Sequence, residues 1–516
     1  MLSFIQRFSS EVIGSLSGFD RLRFRGTKRL LNTQGGMHTF LWHKQVLLKD
    51  FKSYVCDVTD SLRRSVEHAA AGAGRPLIFL NHGERKEDLA QRVAQRDGVS
   101  SGLICVFSAV ESCFSWSVHP DRASKRLVLE GGPKKCLHYY HYYLHPQLGL
   151  MHARLQTWFP FTIQVCLNGR EWLARQMDQA GIGYVKKDNC FVDVQDLQAA
   201  QALLDSQLET DWPTLLGGIA ASSNPAEQEI FGDFAVPYYW SVDESEWATD
   251  FLFRSPEALA ALYPRLLRHG TFVLGSADVL RYLGRKLTPQ GGIKGSFVGE
   301  VTTDLKERPE GMRIKHQLGR NWVKMYDKQG SVLRIETVIN DARDLKVYRS
   351  KEGDESGEKQ WLRLRKGVAD LCRRTEVSHK SNGRYADSLA RVADTKPLAE
   401  VTEPLSEPVL WHGRRARGLN VMGAEDASLL EAVSRGEFLI NGLRNKDIRG
   451  LLYAASEQTK RESAAVTRRL RLLRAHGLIT KVPKTHRYVL SEKGRSACCA
   501  ILAARQADTA TLLQAA

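Results

Sequence analysis

Short apolar runs alternate with charged, amphipathic stretches along much of the chain. Residues 77–80 and 102–107 are apolar, whereas residues 84–96 between them are charged and have helical character. A strand, a helix and a strand at this spacing are typical of a crossover that joins two parallel strands. An aromatic run at 136–144 and the stretch 150–167 after a turn extend the pattern. The pattern predicts an α/β (α+β) body around a mixed sheet, with 77–80 as a short buried strand.

Changes in composition divide the chain into segments of different character, and Pro397, Pro404 and Pro408 mark a linker. We therefore expect a multidomain protein. The predicted segments are a basic N-terminal region (1–75), a mixed α/β domain (76–210), a helical insert (211–292), a hairpin-rich segment that completes the body (293–350), a basic helix with a linker (351–410) and a nucleic-acid-binding domain (411–500).

Positive charge dominates the composition. The 516 residues include 74 Lys and Arg against 58 Asp and Glu, which gives a formal net charge of +16. A basic surface attracts polyanions through the release of counterions, so the charge favours DNA or RNA as the partner. Arg21, Arg23 and Arg25 alternate along a predicted strand and are candidate contacts. The alternative is a basic protein whose charge serves only solubility.

Several classes of protein are disfavoured by what the sequence lacks. No apolar run reaches about 18 residues, so we expect no membrane span, and the first residues do not have the pattern of a secretory signal. The nine cysteines are scattered and include no CxxC pair, which favours a reducing, cytoplasmic environment. The absence of a GxxxxGK[ST] loop and of a complete GxGxxG motif after a strand disfavours P-loop ATPases and dinucleotide enzymes.

The densest positive charge lies near the C-terminus. Residues 411–495 contain 18 Lys and Arg against 8 Asp and Glu. Val466, Leu470 and Leu473 recur at helical spacing, which predicts a helix buried on one side with arginines on its other faces. A predicted hairpin with a basic tip follows at 480–490.

The segment NKDIRGLL…AVTRRLRLLRAHGLITKVPKTHRYVLSEKGR resembles the winged helix of MarR-like and related bacterial regulators. The resemblance implies a C-terminal winged helix-turn-helix domain whose second helix enters the major groove, while the wing contacts the backbone or the minor groove. It places nucleic-acid contacts at Thr467, Arg468, Arg471, Lys484 and Arg487. The alternative is a winged helix that contacts another protein and keeps its arginines solvated.

A second resemblance lies in the pattern KMYDK…LRIE, where residues 327–330 predict the turn of a hairpin. The pattern is similar to segments of the rolling-circle replication initiators of plasmids and filamentous phages, which nick one DNA strand with a tyrosine and a divalent metal. The resemblance implies Tyr326 as the nucleophile or a substrate contact, Lys328 as a phosphate contact and Glu336 as a ligand of Mg²⁺ or Mn²⁺. The alternative is a sheet face with Lys–Glu and Arg–Glu cross-strand pairs.

Histidines and tyrosines are concentrated in the predicted strand at 138–145. A turn near 147–149 would bring His152 close to His141, and two imidazoles with a carboxylate would bind a divalent metal ion. The same rings, together with Arg154, would also suit the stacking of unpaired bases. The third interpretation is aromatic packing between sheet and helix. The pattern leaves all three open.

These patterns predict a cytoplasmic nucleic-acid-binding protein of a mobile element or plasmid. In the leading hypothesis the winged helix recognises a site and the body nicks DNA, as an endonuclease of replication initiation that uses Mg²⁺ or Mn²⁺. The alternative hypothesis is a non-enzymatic DNA- or RNA-binding regulator or scaffold that uses the winged helix and a basic, aromatic body. Both hypotheses allow a homodimer, and neither involves a membrane.

Overall fold

The chain forms two compact units, each assembled from separated stretches of sequence. The computed structural model describes residues 1–81, 84–285, 287, 293, 299–308, 311–351, 353, 357–393, 398–435, 438, 442–453, 459–483 and 485–507. The first unit comprises Met1–Val12, Phe253–Ser331 and Gly383–Ala516, and the second comprises Ile13–Leu252 and Val332–Asn382.

Strands and helices both contribute to the two units. The strands are β1 (Val12–Thr27), β2 (Leu77–Phe79), β3 (Gly102–Asp121), β4 (Arg126–His145), β5 (Gly149–Gln156), β6 (Ile163–Asn168), β7 (Tyr184–Lys187), β8 (Cys190–Val194), β9 (Tyr239–Phe253), β10 (Val301–Arg308), β11 (Gly311–Leu318), β12 (Asn321–Lys328), β13 (Val332–Ile339), β14 (Lys346–Arg349), β15 (Gln360–Arg363), β16 (Val409–Trp411), β17 (Arg414–Ala416), β18 (Ile479–Lys481) and β19 (Tyr488–Leu490). The α-helices are α1 (Leu2–Arg7), α2 (Gln34–His43), α3 (Phe51–Gly72), α4 (Lys86–Arg96), α5 (Gly169–Ala180), α6 (Leu197–Ser206), α7 (Trp212–Ser223), α8 (Glu227–Phe231), α9 (Pro256–Arg268), α10 (Ser276–Tyr282), α11 (Leu371–Ala390), α12 (Leu398–Ser406), α13 (Ala424–Val433), α14 (Asn445–Leu452), α15 (Thr459–Ala475) and α16 (Glu492–Gln506).

A large mixed sheet organises the second unit, with strand order β13-β9-β1-β6-β5-β4-β3-β2. β2 pairs with β3 in parallel and α4 lies between them in sequence, so the predicted crossover is confirmed. The pairs β3–β4, β4–β5, β5–β6, β6–β1 and β9–β13 are antiparallel. The mixed α/β class predicted from the sequence is therefore present.

Two predictions about strands need correction. β2 was expected to be buried. It is an edge strand of the sheet, and for this reason its residue Phe79 is 58% exposed. Residues 211–292 were expected to be a helical insert, yet they include β9, which lies between β13 and β1. Most positions of β9 are buried on both faces, so its sequence shows no apolar–polar alternation that would predict a strand.

Helices cover both faces of β3 and β4. On one face, Val55 and Leu62 of α3 belong to the same apolar cluster as Tyr139 of β4. On the other face, Val93 of α4 packs with a second cluster that includes Tyr142. The buried positions of α3 recur every three or four residues, which explains why this amphipathic sequence forms a helix against the sheet.

The first unit contains an antiparallel meander and a separate C-terminal core. β10, β11 and β12 pair in sequence order. Farther along, α13, α14, α15 and α16 share an apolar core in which Val466, Leu470 and Leu473 of α15 are buried, as the helical spacing predicts. β18 and β19 form the hairpin predicted after the helix that carries Val466, Leu470 and Leu473. Across the described residues of the chain, no helix combines the length and apolar character needed to span a bilayer.

Candidate functional site

A buried arginine joins two aspartates in the second unit. Arg334 of β13 donates from Nε and Nη2 to both carboxylate oxygens of Asp250 on β9, at 2.6 and 2.8 Å. Its Nη1 donates to Oδ1 of Asp20 on β1, at 2.8 Å. The side chain of Arg334 is fully buried. This two-pronged geometry is the arrangement in which a guanidinium best compensates the desolvation of a carboxylate.

Two further residues complete the network around Asp20 and Asp250. Arg170 of α5 is also fully buried, and its Nη2 lies 2.9 Å from Oδ2 of Asp250. Asn189, in the turn between β7 and β8, donates to Asp20 at 2.8 Å, and its carbonyl accepts a hydrogen bond from Arg334 at 2.9 Å. The network therefore connects three strands of the sheet with a helix and a turn.

Three carboxylates near this network could hold a divalent metal ion. Among the described residues, Asp20, Glu246 and Glu336 offer oxygens that all lie within 4.8 Å of one another, and all three residues are buried. Carboxylate oxygens are the ligands that Mg²⁺ and Mn²⁺ prefer. Arginines already compensate part of this negative charge, because Arg334 binds Asp20 and Arg21 donates to Glu246 at 2.8 Å. A metal ion would have to compete with these guanidinium groups.

The sequence pointed to Glu336 as a metal ligand, but it did not identify Asp250 or Arg170. The one available signal for Asp250 is a carboxylate within the apolar run of β9, where it is 1% exposed. A charge in such a run indicates a buried partner of opposite sign. No local pattern indicates that the partners are Arg334 and Arg170, which are distant in sequence.

The arginines predicted as nucleic-acid contacts in the body lie together on one face of the sheet. Strand register places Arg25 opposite Gln164, Gln164 opposite Arg154, and Arg154 opposite Tyr140. Arg21, Arg23 and Arg25 follow one another on alternate positions of β1, and their side chains are 37–48% exposed. A cleft of about 360 Å³ lies on this face and is lined by Arg25, Arg154 and Gln164, among others.

Acidic partners neutralise much of this face. Arg25 donates to Asp243 at 2.7 Å, and Arg154 lies 2.8 Å from Glu111. Burial alone would raise the pKa of the Glu111 carboxyl, but a hydrogen bond from Tyr140 and the positive charge of Arg154 hold that pKa below its ordinary value. The face therefore has the ion-pair lattice of a structural sheet, together with partly exposed guanidinium groups.

The two histidines predicted to share a metal ion lie on opposite faces of the sheet. His141 on β4 is opposite Ala153, whereas His152 on β5 is opposite Tyr142 and stacks on its ring at 4.9 Å. Successive side chains of a strand point to opposite faces, so this register separates the two imidazoles. Desolvation lowers the pKa of each histidine to about 4. The carboxylate group around Glu336 includes neither of them.

Tyr326 and Lys328 lie on β12 in the first unit, and Glu336 lies on β13 in the second. The Lys328 ammonium is 5.4 Å from the centroid of the Tyr326 ring, and Tyr326 is 8% exposed. The turn expected after β12 is present, because Asp327 Oδ1 accepts a hydrogen bond from the Gly330 amide at 2.9 Å. The proposed nucleophile is therefore a largely buried phenol beside a cation.

The C-terminal part of the first unit has an arginine-lined cleft of about 600 Å³. The cleft lies between α15 and the short hairpin β16–β17, and Trp411 lies among its cations. The guanidinium of Arg471 is 5.6 Å from the centroid of the Trp411 ring. The cleft is lined by six arginines and one acidic residue: Arg414, Arg415, Arg417, Arg468, Arg469, Arg471 and Glu425.

Ion pairing divides these arginines into two groups. Arg417 binds Asp426 at 2.7 Å, and Arg469 binds Glu425. The other four, at positions 414, 415, 468 and 471, are exposed and have no carboxylate within 4.0 Å in the part of the chain that the structure describes. These four cations are therefore available to a polyanion without the loss of an internal ion pair.

The other predicted contacts of this segment, Thr467, Arg487 and Lys484, differ from one another in their surroundings. Thr467 is exposed, but its hydroxyl donates to the Ser463 carbonyl at 2.8 Å and accepts from Asn445 at 2.9 Å. Arg487, just before β19, donates to the Gly442 carbonyl at 3.4 Å. Lys484 lies outside the described residues. Among the described residues, Arg468 and Arg471 are therefore the predicted contacts of this segment that line the cleft.

Comparison with known proteins gives no match to a protein-family model, to a curated protein or to a solved structure.

Removal of Arg334 should strongly destabilise the second unit. Arg334→Ala removes the cation that donates to both Asp20 and Asp250, although Arg170 stays within 2.9 Å of Asp250 and 3.8 Å of Asp20. We expect a loss of about 3 kcal/mol in the free energy of unfolding. Arg334→Lys should recover only part of this loss, because an ammonium cannot bind both oxygens of Asp250 in a fork. The measurement is chemical denaturation followed by circular dichroism.

The matched control is Arg343→Ala. It breaks an ion pair with Asp341 in the same unit, but the Arg343 side chain is 66% exposed. Loss of this exposed ion pair should change the free energy of unfolding far less than loss of Arg334. Equal effects of the two substitutions would contradict a stabilising role for the buried network.

The burial of His141 should make stability depend on pH. Its pKa of about 4 in the folded protein lies below the ordinary value of about 6.5, so only the unfolded chain binds the proton between these values. The free energy of unfolding should fall as the pH falls through this window, by at most about 1.4 kcal/mol per pH unit from this group. His141→Gln should show a shallower slope in denaturation curves recorded across the window. An unchanged slope would contradict the assignment.

Proposed function

We propose that the protein binds nucleic acid and that residues 411–500 act as a winged helix-turn-helix module. The order α14, α15, the β18–β19 hairpin and α16 over one apolar core supports this proposal. α15 has the place of the recognition helix, with its apolar side buried and Arg468 and Arg471 exposed. The hairpin has the place of the wing.

The observation that carries the proposal is the set of exposed arginines that line the cleft beside α15. Cations without internal carboxylate partners can bind phosphates without breaking an ion pair. Their binding releases counterions from the polynucleotide, which favours association. Guanidinium groups also form paired hydrogen bonds with phosphate oxygens or with the edge of guanine. The first kind of contact positions the protein on the polynucleotide, and the second recognises a base. By contrast, Arg25 and Arg154 in the body are already paired with carboxylates.

Loss of two cleft arginines should weaken duplex binding. We expect Arg468→Ala/Arg471→Ala to reduce affinity at all sequences and to reduce the slope of log affinity against log salt by about 1 for each lost phosphate contact. The measurement is fluorescence anisotropy of labelled duplex DNA and RNA over a salt series.

The control removes the same charge elsewhere. Arg64 and Arg92 are exposed arginines on helices of the second unit. Arg64→Ala/Arg92→Ala should leave affinity and salt slope close to those of the natural protein. If both double variants weaken binding equally, the attraction is a property of net charge and not of the cleft.

Strand cleavage is a second proposal, favoured by the carboxylates of Asp20, Glu246 and Glu336. In this proposal they hold Mg²⁺ or Mn²⁺, which would supply Lewis-acid activation of a phosphate. The nucleophilic role of Tyr326 stays a prediction from the sequence resemblance: attack of its hydroxyl oxygen on a phosphodiester would form a phosphotyrosyl bond and release the hydroxyl end of the cleaved strand. A role in the replication of a mobile element and assembly as a homodimer stay predictions.

Cleavage should depend on Tyr326 and on a divalent metal. Incubation with supercoiled plasmid or labelled single strand and Mn²⁺ should give nicked product, which a chelator abolishes. Tyr326→Phe should bind DNA but not nick it. Tyr184→Phe removes a phenol hydroxyl elsewhere, where it donates to Asp178, and should nick normally. Absence of cleavage by the natural protein would refute this second proposal and leave the binding proposal standing.

A further inference from the structure

A small hairpin of the second unit exposes two aromatic rings side by side. β14 and β15 pair so that Tyr348 is directly opposite Trp361. The two residues are 58% and 56% exposed, and their ring centroids lie 5.6 Å apart. Large aromatic residues normally gain most of their free energy by burial, so a paired exposure of this size indicates a surface that contacts a partner.

Cations flank the aromatic pair on the same face of the hairpin. Lys346 is opposite Arg363, and both lie two residues from the rings along their strands. Because side chains alternate between the faces of a strand, these two cations and the two rings point the same way. Both cations are exposed. On the opposite face, Val347 belongs to a buried apolar cluster that anchors the hairpin.

A basic cleft of about 600 Å³ adjoins this face. Its lining includes Tyr348 together with Lys351, Lys359, Arg365 and Arg373. Arg365 and Arg373 both bind the buried carboxylate of Asp370, and among the described residues no ion pair is found for Lys351 or Lys359. Across residues 346–366 the sequence has seven Lys and Arg against four Asp and Glu.

We propose that this aromatic hairpin binds the unpaired bases of a single-stranded polynucleotide. Every base has a flat π-face that can stack on an exposed ring, and the phosphates on either side of a stacked base would reach Lys346, Arg363 and the cleft. In a duplex the bases are already stacked on one another, so the rings gain nothing from it. The inference goes beyond the duplex contact proposed for the arginine cleft and does not depend on it.

Replacement of both rings should selectively weaken single-strand binding. For Tyr348→Ala/Trp361→Ala we expect about tenfold weaker binding of labelled oligothymidylate or oligouridylate, and unchanged binding of a mixed-sequence duplex. Tyr348→Phe/Trp361→Phe keeps both stacking faces and should bind single strands like the natural protein. The measurement is fluorescence anisotropy with the full chain, repeated in the Arg468→Ala/Arg471→Ala background so that the cleft contributes less.

Trp42→Ala is the matched control, because Trp42 is 81% exposed on a helix of the same unit and should be dispensable. A loss of affinity confined to one oligonucleotide supports the proposal and identifies the polymer as DNA or RNA. Single-strand affinity that survives loss of both rings would overturn the proposal, and so would an equal loss toward the duplex. Loss of duplex binding in the arginine variant bears only on the cleft.

Discussion

An arginine buried between two aspartates holds together strands that are far apart in the sequence. Arg334 on β13 binds Asp250 on β9 and Asp20 on β1, and the chain leaves the second unit after β9 to build part of the first before it returns as β13. Taking these charges out of water is costly, and only their mutual geometry repays the cost. The register of β9 and β13 places Arg334 directly opposite Asp250, so strand pairing and charge pairing support one another.

The same constraint decides which charged groups are available for function. Asp20 serves both the buried network and the carboxylate group with Glu246 and Glu336, so a metal ion there would have to displace or share arginine contacts. On the exposed sheet face, Arg25 and Arg154 already have carboxylate partners. A polyanion gains most from cations that lose no internal partner when it binds. For this reason the net charge of the chain is a poorer guide to its binding surface than the pairing of individual arginines.

The sequence predicted α15, which has one buried side, and missed β9, most of whose positions are buried on both faces. The spacing of Val466, Leu470 and Leu473 identified α15, because only one side of that helix is apolar. β9 has no such contrast and was not predicted. The prediction that His141 and His152 share a metal ion was wrong for a different reason. Both strands were predicted, but the register of β4 and β5 sets His152 opposite Tyr142, so the two imidazoles lie on opposite faces. Register and long-range partners such as Arg170 depend on the whole sheet, which local patterns do not encode.

The two proposed nucleic-acid surfaces differ in chemistry and should therefore differ in how they respond to salt. The cleft beside α15 would act through its exposed guanidinium groups, and its affinity would fall steeply with salt because binding releases counterions. At the hairpin, Lys346 and Arg363 would contact phosphates while Tyr348 and Trp361 stack on bases, so its affinity would fall less with salt, because the stacking of neutral rings releases no ions. A chain with both surfaces would hold a duplex by charge and an unpaired segment by stacking together with charge.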